Sequence, residues 1–434
     1  MLSSILFIIL IVIASVTFTI SIRKVRRNIL LGKDIQFSTP KEARLKNMIR
    51  VALGQNKMIN RPIAGILHIF VYVGFVLINI EVMEIILDGI LGTHRLFAFA
   101  GTFYNFLIAF FEILALLVFV SVLIFWARRN ILKLPRFAHP DLKGFPSKDA
   151  NFILIMEMIL MTALMLSNAS DKILQTRHVE HYVQAGSFPV SSLFIPLLQN
   201  LPTENLILIE RTFWWLHIIG ILVFLNYLPI SKHLHIILAF PNTYFYEVNQ
   251  PLGKFRTIKE VSDVVIPNFN PEYTPTTDAN AEVSFGAKDV FDLNWKQLLD
   301  AYTCTECGRC TSVCPQNITG KKLSPRKIMM SVRDRLEEVG KNIDANNGQF
   351  QNDGKNLFSY ISEEEIWACN TCNACAEECP VNINPLSIIM ELRYNLVLEQ
   401  SKAPASLNTM FSNVENNGAP WQFSNADRLK WAEE

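Results

Sequence analysis

Long apolar runs separated by short polar stretches fill the first 240 residues, and beyond them the pattern breaks into short amphipathic pieces. A hydrocarbon core of about 30 Å calls for roughly 20 residues of helix rising about 1.5 Å each. Five runs approach or exceed that length, over residues 2–22, 63–87, 103–126, 152–166 and 206–228, the last with an extension to 240. The first is read as a membrane helix and not a cleaved leader. It has no basic segment in front of it, and Arg23, Lys24, Arg26 and Arg27 follow it as a stop-transfer pattern. Residues 241–290 hold prolines at 241, 251, 267, 271 and 275 with no sustained period, which predicts a linker.

Residues 291–400 read as short helices. Asp292 is placed to cap a helix carrying Trp295, Leu298 and Leu299. Ser324-Pro325 supplies a cap and an N1 proline ahead of Ile328, Met329, Val332 and Leu336 at helical spacing. Ser362 with Glu365 is a capping box, and Asn384-Pro385 opens a further helix. The Asn-rich, acidic stretch 344–355 is expected as a surface loop, and 401–434 as a tail that contacts another subunit. The expected fold is therefore mainly α: a five-helix transmembrane bundle over 1–240, a linker, then a compact α-helical domain.

All eight cysteines fall in that last domain, in two runs of the form C-x2-C-x2-C-x3-C-P. Cys304, Cys307, Cys310 and Cys314 precede Pro315, and Cys369, Cys372, Cys375 and Cys379 precede Pro380. This spacing wraps a [4Fe-4S] cubane, three thiolates coming from one tight loop and the fourth from the other run. The proline turns the last cysteine away from its own loop. Cys304, Cys307, Cys310 and Cys379 are thus assigned to one cluster, and Cys369, Cys372, Cys375 and Cys314 to the other. Paired zinc sites are the alternative for C-x2-C pairs. Zinc has no need of the third and fourth cysteine at these repeated intervals. The helices between the runs make the domain an α-helical ferredoxin, carrying electrons singly and doing no bond chemistry of its own.

Charge orients the bundle. Segments 23–61 and 128–149 carry eleven and six Lys or Arg, against one and three in 88–103 and 168–211. The positive-inside rule then puts the N-terminus outside and the ferredoxin domain in the cytoplasm. A net charge of +1 gives no reason to expect a nucleic-acid partner. Thiols committed to clusters fit a reducing compartment. No G-x-G-x-x-G or P-loop spacing is present.

Ionisable residues at membrane depth are functional candidates. His68 lies six residues after Pro62, and His217, His233 and His235 lie in or just after the fifth run. On one continuous helix the 18 residues from His217 to His235 make five turns, so both face inward about 27 Å apart, while His233 is rotated by roughly 160°. His68 and His235 then share the inner level and can clamp one haem b. His217 lies toward the outer face, as a ligand of a second haem or a contact to quinone. Glu81, Glu84, Glu112 and Glu157 are also at membrane depth. The reading preferred for them is structural, Glu81 and Glu84 reaching headgroup water and the other two hydrogen-bonding neighbouring helices.

The stretch from Leu216-His217-Ile218-Ile219-Gly220 to Leu228-Pro229-Ile230-Ser231-Lys232-His233-Leu234-His235-Ile236 resembles helix five of the respiratory nitrate reductase gamma subunit, a dihaem cytochrome b. In that family helix two carries two histidines ten apart; His68 matches the first, but Ile78 stands at the second. The resemblance thus implies one haem, with His94, His178 or His181 as substitutes for the missing ligand of a second. Phe285-Gly286-Ala287-Lys288, Trp295-Lys296-Gln297-Leu298-Leu299-Asp300, Cys304-Thr305-Glu306-Cys307-Gly308-Arg309-Cys310, Trp367-Ala368-Cys369 and Glu415-Asn416-Asn417-Gly418-Ala419-Pro420-Trp421 resemble heterodisulfide-reductase-related iron–sulfur proteins. The likeness is greatest to the membrane subunit of electron-transfer-flavoprotein:menaquinone oxidoreductase.

That resemblance implies a respiratory-chain electron-transfer subunit linking a cytoplasmic flavoprotein donor to menaquinone. Its cysteine-rich CCG domain is expected on a separate subunit, since no cysteine follows Cys379. Quinol-driven reduction of a cytoplasmic disulfide, and a haem-free membrane anchor for a soluble dehydrogenase, are the competing readings.

Overall fold

The computed structural model describes residues 2–249, 258–275 and 284–433; the expected linker falls partly outside them. Among the described residues there is no strand, only helices and turns. The five long apolar helices are α1 (Leu2–Ile29), α2 (Pro62–Leu91), α3 (Thr102–Asn130), α4 (Phe145–Thr176) and α5 (Thr203–Tyr227), each long and apolar enough to cross a membrane. Each satisfies its own backbone hydrogen bonds, as a spanning segment must. Leu2, Val12, Ile13, Val76, Phe106 and Leu208 point outward from the bundle, where lipid replaces water as their neighbour.

Small residues bring the helices together. A Cβ on Gly220 of α5 would stand 2.5 Å from Leu160 Cδ2 of α4, so a larger residue there would have to push the leucine side chain aside. Gly89 of α2 serves Phe7 of α1 in the same way, its missing Cβ leaving room for the ring at 2.5 Å.

The fifth apolar run is not one helix. α5 stops at Tyr227, two short 3-10 turns follow over 228–230 and 232–234, and α6 (His235–Tyr244) starts afresh. Pro229 lacks the N–H that would continue the ladder, and Ser231 is extended at φ −112°, ψ 153°. Asp149 of α4 fixes the break by accepting from Tyr227 Oη at 2.7 Å, Ser231 Oγ at 2.8 Å and Lys232 N at 3.2 Å. Pro241, read from the sequence as the first linker residue, sits inside α6.

The second half packs α7 (Trp295–Thr303), α8 (Pro325–Ala345), α9 (Glu363–Ala368) and α10 (Pro385–Tyr394) around Leu298, Ile328, Val332, Leu336, Ile366 and Ile388, all fully buried. Ser324, Ser362 and Asn384 cap their helices as their sequence positions predict. α7 differs: its cap is Asn294, boxed with Gln297, while Asp292 closes a turn with Asp289. Asn294 wins because it immediately precedes the first helical residue, where its Oδ1 reaches Gln297 N at 3.0 Å.

The two halves share a core. α1 is about 42 Å long for its 28 residues, more than a bilayer core needs. Its last turns carry Val25 and Ile29 into the same apolar cluster as Leu298 and Leu336. Asn28 donates to Tyr302 Oη at 3.0 Å within this contact.

Candidate electron-transfer site

The two cysteine loops have the same shape. Glu306 and Gly308 take positive φ (54° and 71°), and the residues at matching positions, Thr371 and Asn373, do too (58° and 60°). A β-branched threonine pays about 1–3 kcal/mol to sit there, a strain that persists where function requires the loop shape. α7 ends at Cys304 and α9 at Cys369, so a helix delivers the first cysteine of each loop.

The side chains group across the loops. Cys304, Cys307, Cys310 and Cys379 line one small cavity, which Cys375 also borders, while Cys314 lies within electrostatic reach of Cys369 and Cys375. Among the described residues no three His, Cys, Asp or Glu side chains close around a single metal ion. A tetrahedral zinc draws its sulfurs to within about 2.3 Å of one point. A cubane binds each thiolate through a different iron, so its four sulfurs stand apart. Burial pushes the Cys304 thiol up to about 11, and the Cys375 and Cys379 thiols up to about 12. Thiols so buried need the positive charge of iron to be thiolates at neutral pH.

A polar junction ties the first loop to the bundle. Glu306, between Cys304 and Cys307, is paired with Lys232 and Arg333, and Lys232 Nζ also lies 3.7 Å from Asp149. Burial raises the Glu306 carboxyl, but Arg333 and Lys232 outweigh it and hold it below the ordinary carboxylate range. Arg309 donates to Lys57 O at 2.9 Å and Met58 O at 3.3 Å, just ahead of α2. Arg61 pairs with Glu378 at 2.7 Å, and Asn242 Nδ2 donates to Val381 O at 2.9 Å. None of these contacts leaves a sequence signal, because the partners lie on separate helices.

Beside this junction are three histidines. His68 lies within electrostatic reach of His235 and of Arg309. His233 stacks on His235, ring centroids 5.5 Å apart, and its Nε2 is 3.9 Å from Glu157. The helical-phase reading of His233 as pointing elsewhere is therefore corrected: the break after Tyr227 puts both rings in one group with His68. His235 Nδ1 meets Lys232 O at 3.0 Å, which leaves Nε2 as the nitrogen without its proton. Neutral imidazoles of this kind fit axial ligation of haem iron.

His217 lies apart from them, toward the other end of the bundle. It lines a cavity of about 170 Å³ together with Glu81, Glu84, Arg95, Trp214 and Trp215. Its Nδ1 meets Leu160 O at 2.9 Å, and its Nε2 is buried without a partner. His94 spends both ring nitrogens, on Asp171 at 3.0 Å and Val183 N at 3.1 Å, and His178 Nδ1 meets Gln184 at 3.0 Å. Ile78 is buried in an apolar cluster with Tyr104, Ile108 and Phe111.

Glu81 and Glu84 do not reach headgroup water, each being 3% exposed. Helix α2 turns them inward, where Glu84 accepts from Phe97 N and Tyr104 Oη, both at 2.8 Å, and Glu81 Oε1 lies 3.6 Å from Arg95. Glu112 accepts from Asn168 Nδ2 of α4 at 3.2 Å and from Val190 N and Ser191 N at 2.9 and 3.1 Å.

The 4Fe-4S dicluster domain family matches residues 303–383, which hold all eight cysteines. The chain carries a 4Fe-4S dicluster domain. Along its whole length it is 29% identical to a probable iron–sulfur-binding oxidoreductase of Bacillus subtilis, of which it covers 61%. Over 88% of its length it is 26% identical to the EtfAB:quinone oxidoreductase of Syntrophomonas wolfei, covering 53% of that protein. Over 22% of its length it is 31% identical to one polypeptide of the ferredoxin:CoB-CoM heterodisulfide reductase of Methanosarcina mazei, covering 45% of it. The likeness to heterodisulfide-reductase-related membrane iron–sulfur proteins read from the sequence is borne out. No solved structure matches the chain.

Proposed function

We propose that this chain is a membrane-anchored electron-transfer subunit of a quinone oxidoreductase. Electrons pass singly between a cytoplasmic donor complex and the menaquinone pool of a bacterial inner membrane. Cys304, Cys307, Cys310 and Cys379 would hold one [4Fe-4S] cluster, and Cys369, Cys372, Cys375 and Cys314 the other. His68 and His235 would hold a haem b, which supplies one-electron redox chemistry within the bundle. The chain's own residues place these centres. Glu306, gripped by Lys232 and Arg333, fixes the first cysteine loop against the turn that carries His233 and His235. Arg309 fixes the same loop against the start of α2, which carries His68.

The observation that carries the reading is this shared mounting of a cysteine loop and a histidine group on one polar junction. The likeness to a protein named as a quinone oxidoreductase supports it. A flavoprotein donor and a separate CCG-domain iron–sulfur subunit are the proposed partners. A second reading, with quinol electrons running to a cytoplasmic disulfide, is favoured by the likeness to a heterodisulfide reductase polypeptide.

The test is stopped-flow spectroscopy of the chain in nanodiscs, its iron–sulfur centres first reduced with limiting dithionite. Menadione should reoxidise the centres and produce menadiol in stoichiometric amount. Centres that stay reduced in its presence would defeat the proposal.

A further inference from the structure

The cavity beside His217 is closed by aromatic rings on one side and lined by acids on the other. Phe7 of α1 sits 5.5 and 5.8 Å from the rings of Trp214 and Trp215 on α5, and those two rings are 5.2 Å apart. Opposite them stand Glu81 and Arg95, with two buried polar atoms left without a hydrogen-bond partner: His217 Nε2 and Glu81 Oε2. Burying a polar atom unpaired costs about 1–3 kcal/mol, so two such atoms on one cavity mark a place where a polar ligand belongs. At about 170 Å³ the cavity has about ten times the space that one water needs.

The ligand is constrained by its walls. An aromatic slab is recognised by the Phe7–Trp214–Trp215 wall. His217 Nδ1 faces the Leu160 carbonyl, which only accepts, so Nδ1 carries the proton and neutral Nε2 accepts from a hydroxyl. Glu81 Oε2 presents a second proton-exchanging oxygen. A flat ring system with two oxygens that interconvert between carbonyl and hydroxyl answers both. Ile78, where a second ligand would stand on α2, is packed in an apolar core, both nitrogens of His94 are engaged, and His181 also lines the cavity beside His94.

We propose that this cavity is the quinone site, with Glu81 and His217 as the two groups that exchange protons with the quinone oxygens. The inference rests on the quinone-linked electron transfer proposed above and supplies its site. Reduction of the quinone consumes two electrons, delivered singly from the reduced iron–sulfur centres, and two protons. One proton goes to each oxygen, from the Glu81 carboxylic acid and from His217, which donates to the quinone in its protonated form and accepts from the quinol at neutral Nε2; oxidation of quinol returns both. Arg95 lies 3.6 Å from Glu81 and 2.9 Å from Asp171, which pairs with His94, so the acid side of the cavity is continuous with polar groups at the far end of the bundle. Glu81 lies 13 residues along α2 from His68, about 20 Å of helix, so the site stands well away from the cysteine loops. Electrons reaching it cross most of the bundle.

The experiment uses the full chain in nanodiscs, with menadione as the probe. Menadione should quench tryptophan fluorescence, and most of that quench should vanish when Trp214 and Trp215 are both replaced by Phe. His217→Leu should weaken menadione binding at least tenfold. Glu81→Gln, which keeps size and polarity, should bind within threefold of the parent yet slow reoxidation of the iron–sulfur centres at least tenfold. Unchanged cluster EPR spectra establish that each variant is folded. Parental binding and reoxidation in both His217→Leu and Glu81→Gln would overturn the proposal. So would the loss of one haem per chain, by pyridine haemochrome, in His217→Leu. Site-dependent binding with no reoxidation in the parent would leave the site standing and remove the electron-transfer reading on which its role rests.

Discussion

Cys314 closes its own loop just ahead of Pro315, yet it lies within electrostatic reach of Cys369 and Cys375 of the other run. Cys314→Ser is therefore expected to perturb the EPR signal of the cluster in the second loop, and Cys379→Ser that of the first. The same signal lost in both variants would contradict crossed ligation. Glu306 poses a second test at this scale. Its side chain is 3% exposed and its partners Lys232 and Arg333 are 11% and 12% exposed. Glu306→Gln takes the paired anion from nearly buried Arg333 and leaves Lys232 with Asp149 alone at 3.7 Å, a loss of up to about 3–5 kcal/mol for a buried pair. Thermal release of iron should begin several degrees lower than in the parent, and an unchanged release curve would show that the junction contributes nothing. Neither Glu306 nor Lys232 stands out in the sequence; the cysteines around Glu306 do.

Among the elements, the break between α5 and α6 matters most. An uninterrupted helix would have turned His233 away from His235; the two 3-10 turns stack the rings instead. His68→Ala and His235→Ala should each lower haem content by one per chain, read by pyridine haemochrome. His233→Ala should shift the reduced α-band without removing the haem, since the stacked ring packs beside the ligand. Full haem in the first two variants would refute the assignment. Asp149→Asn weakens the three bonds that set the break, each worth about 0.5–1.5 kcal/mol net. A lower melting temperature together with partial loss of haem should follow, whereas a melting change with haem intact would separate the turn from the histidines. Pro229 was the one visible hint of this break; the acceptor that stabilises it lies 82 residues before Ser231.

For the whole molecule, the placement of charge on either end of the bundle predicts topology. Among the segments that connect the long helices, those before α2 and before α4 hold most of the Lys and Arg, and the cysteine domain packs against that same end. An epitope inserted at Gly348, where the backbone has open space around it, should be reachable only from the cytoplasm. One inserted after Gly186, in the segment between α4 and α5, should be reachable from outside intact cells. Both epitopes exposed on one side would require a different number of spans.

Local chemistry wrote the rest into the sequence. Two cysteine runs with identical intervals, helix caps at Ser324, Ser362 and Asn384, and five apolar runs are legible because each depends on residues within a few turns of one another. The tertiary structure decided what depends on distant partners: Lys232 with Glu306, Asp149 with the break after α5, and Glu81 with Arg95 beside His217. Side chains on different helices meet through packing, and packing imposes no period along the chain.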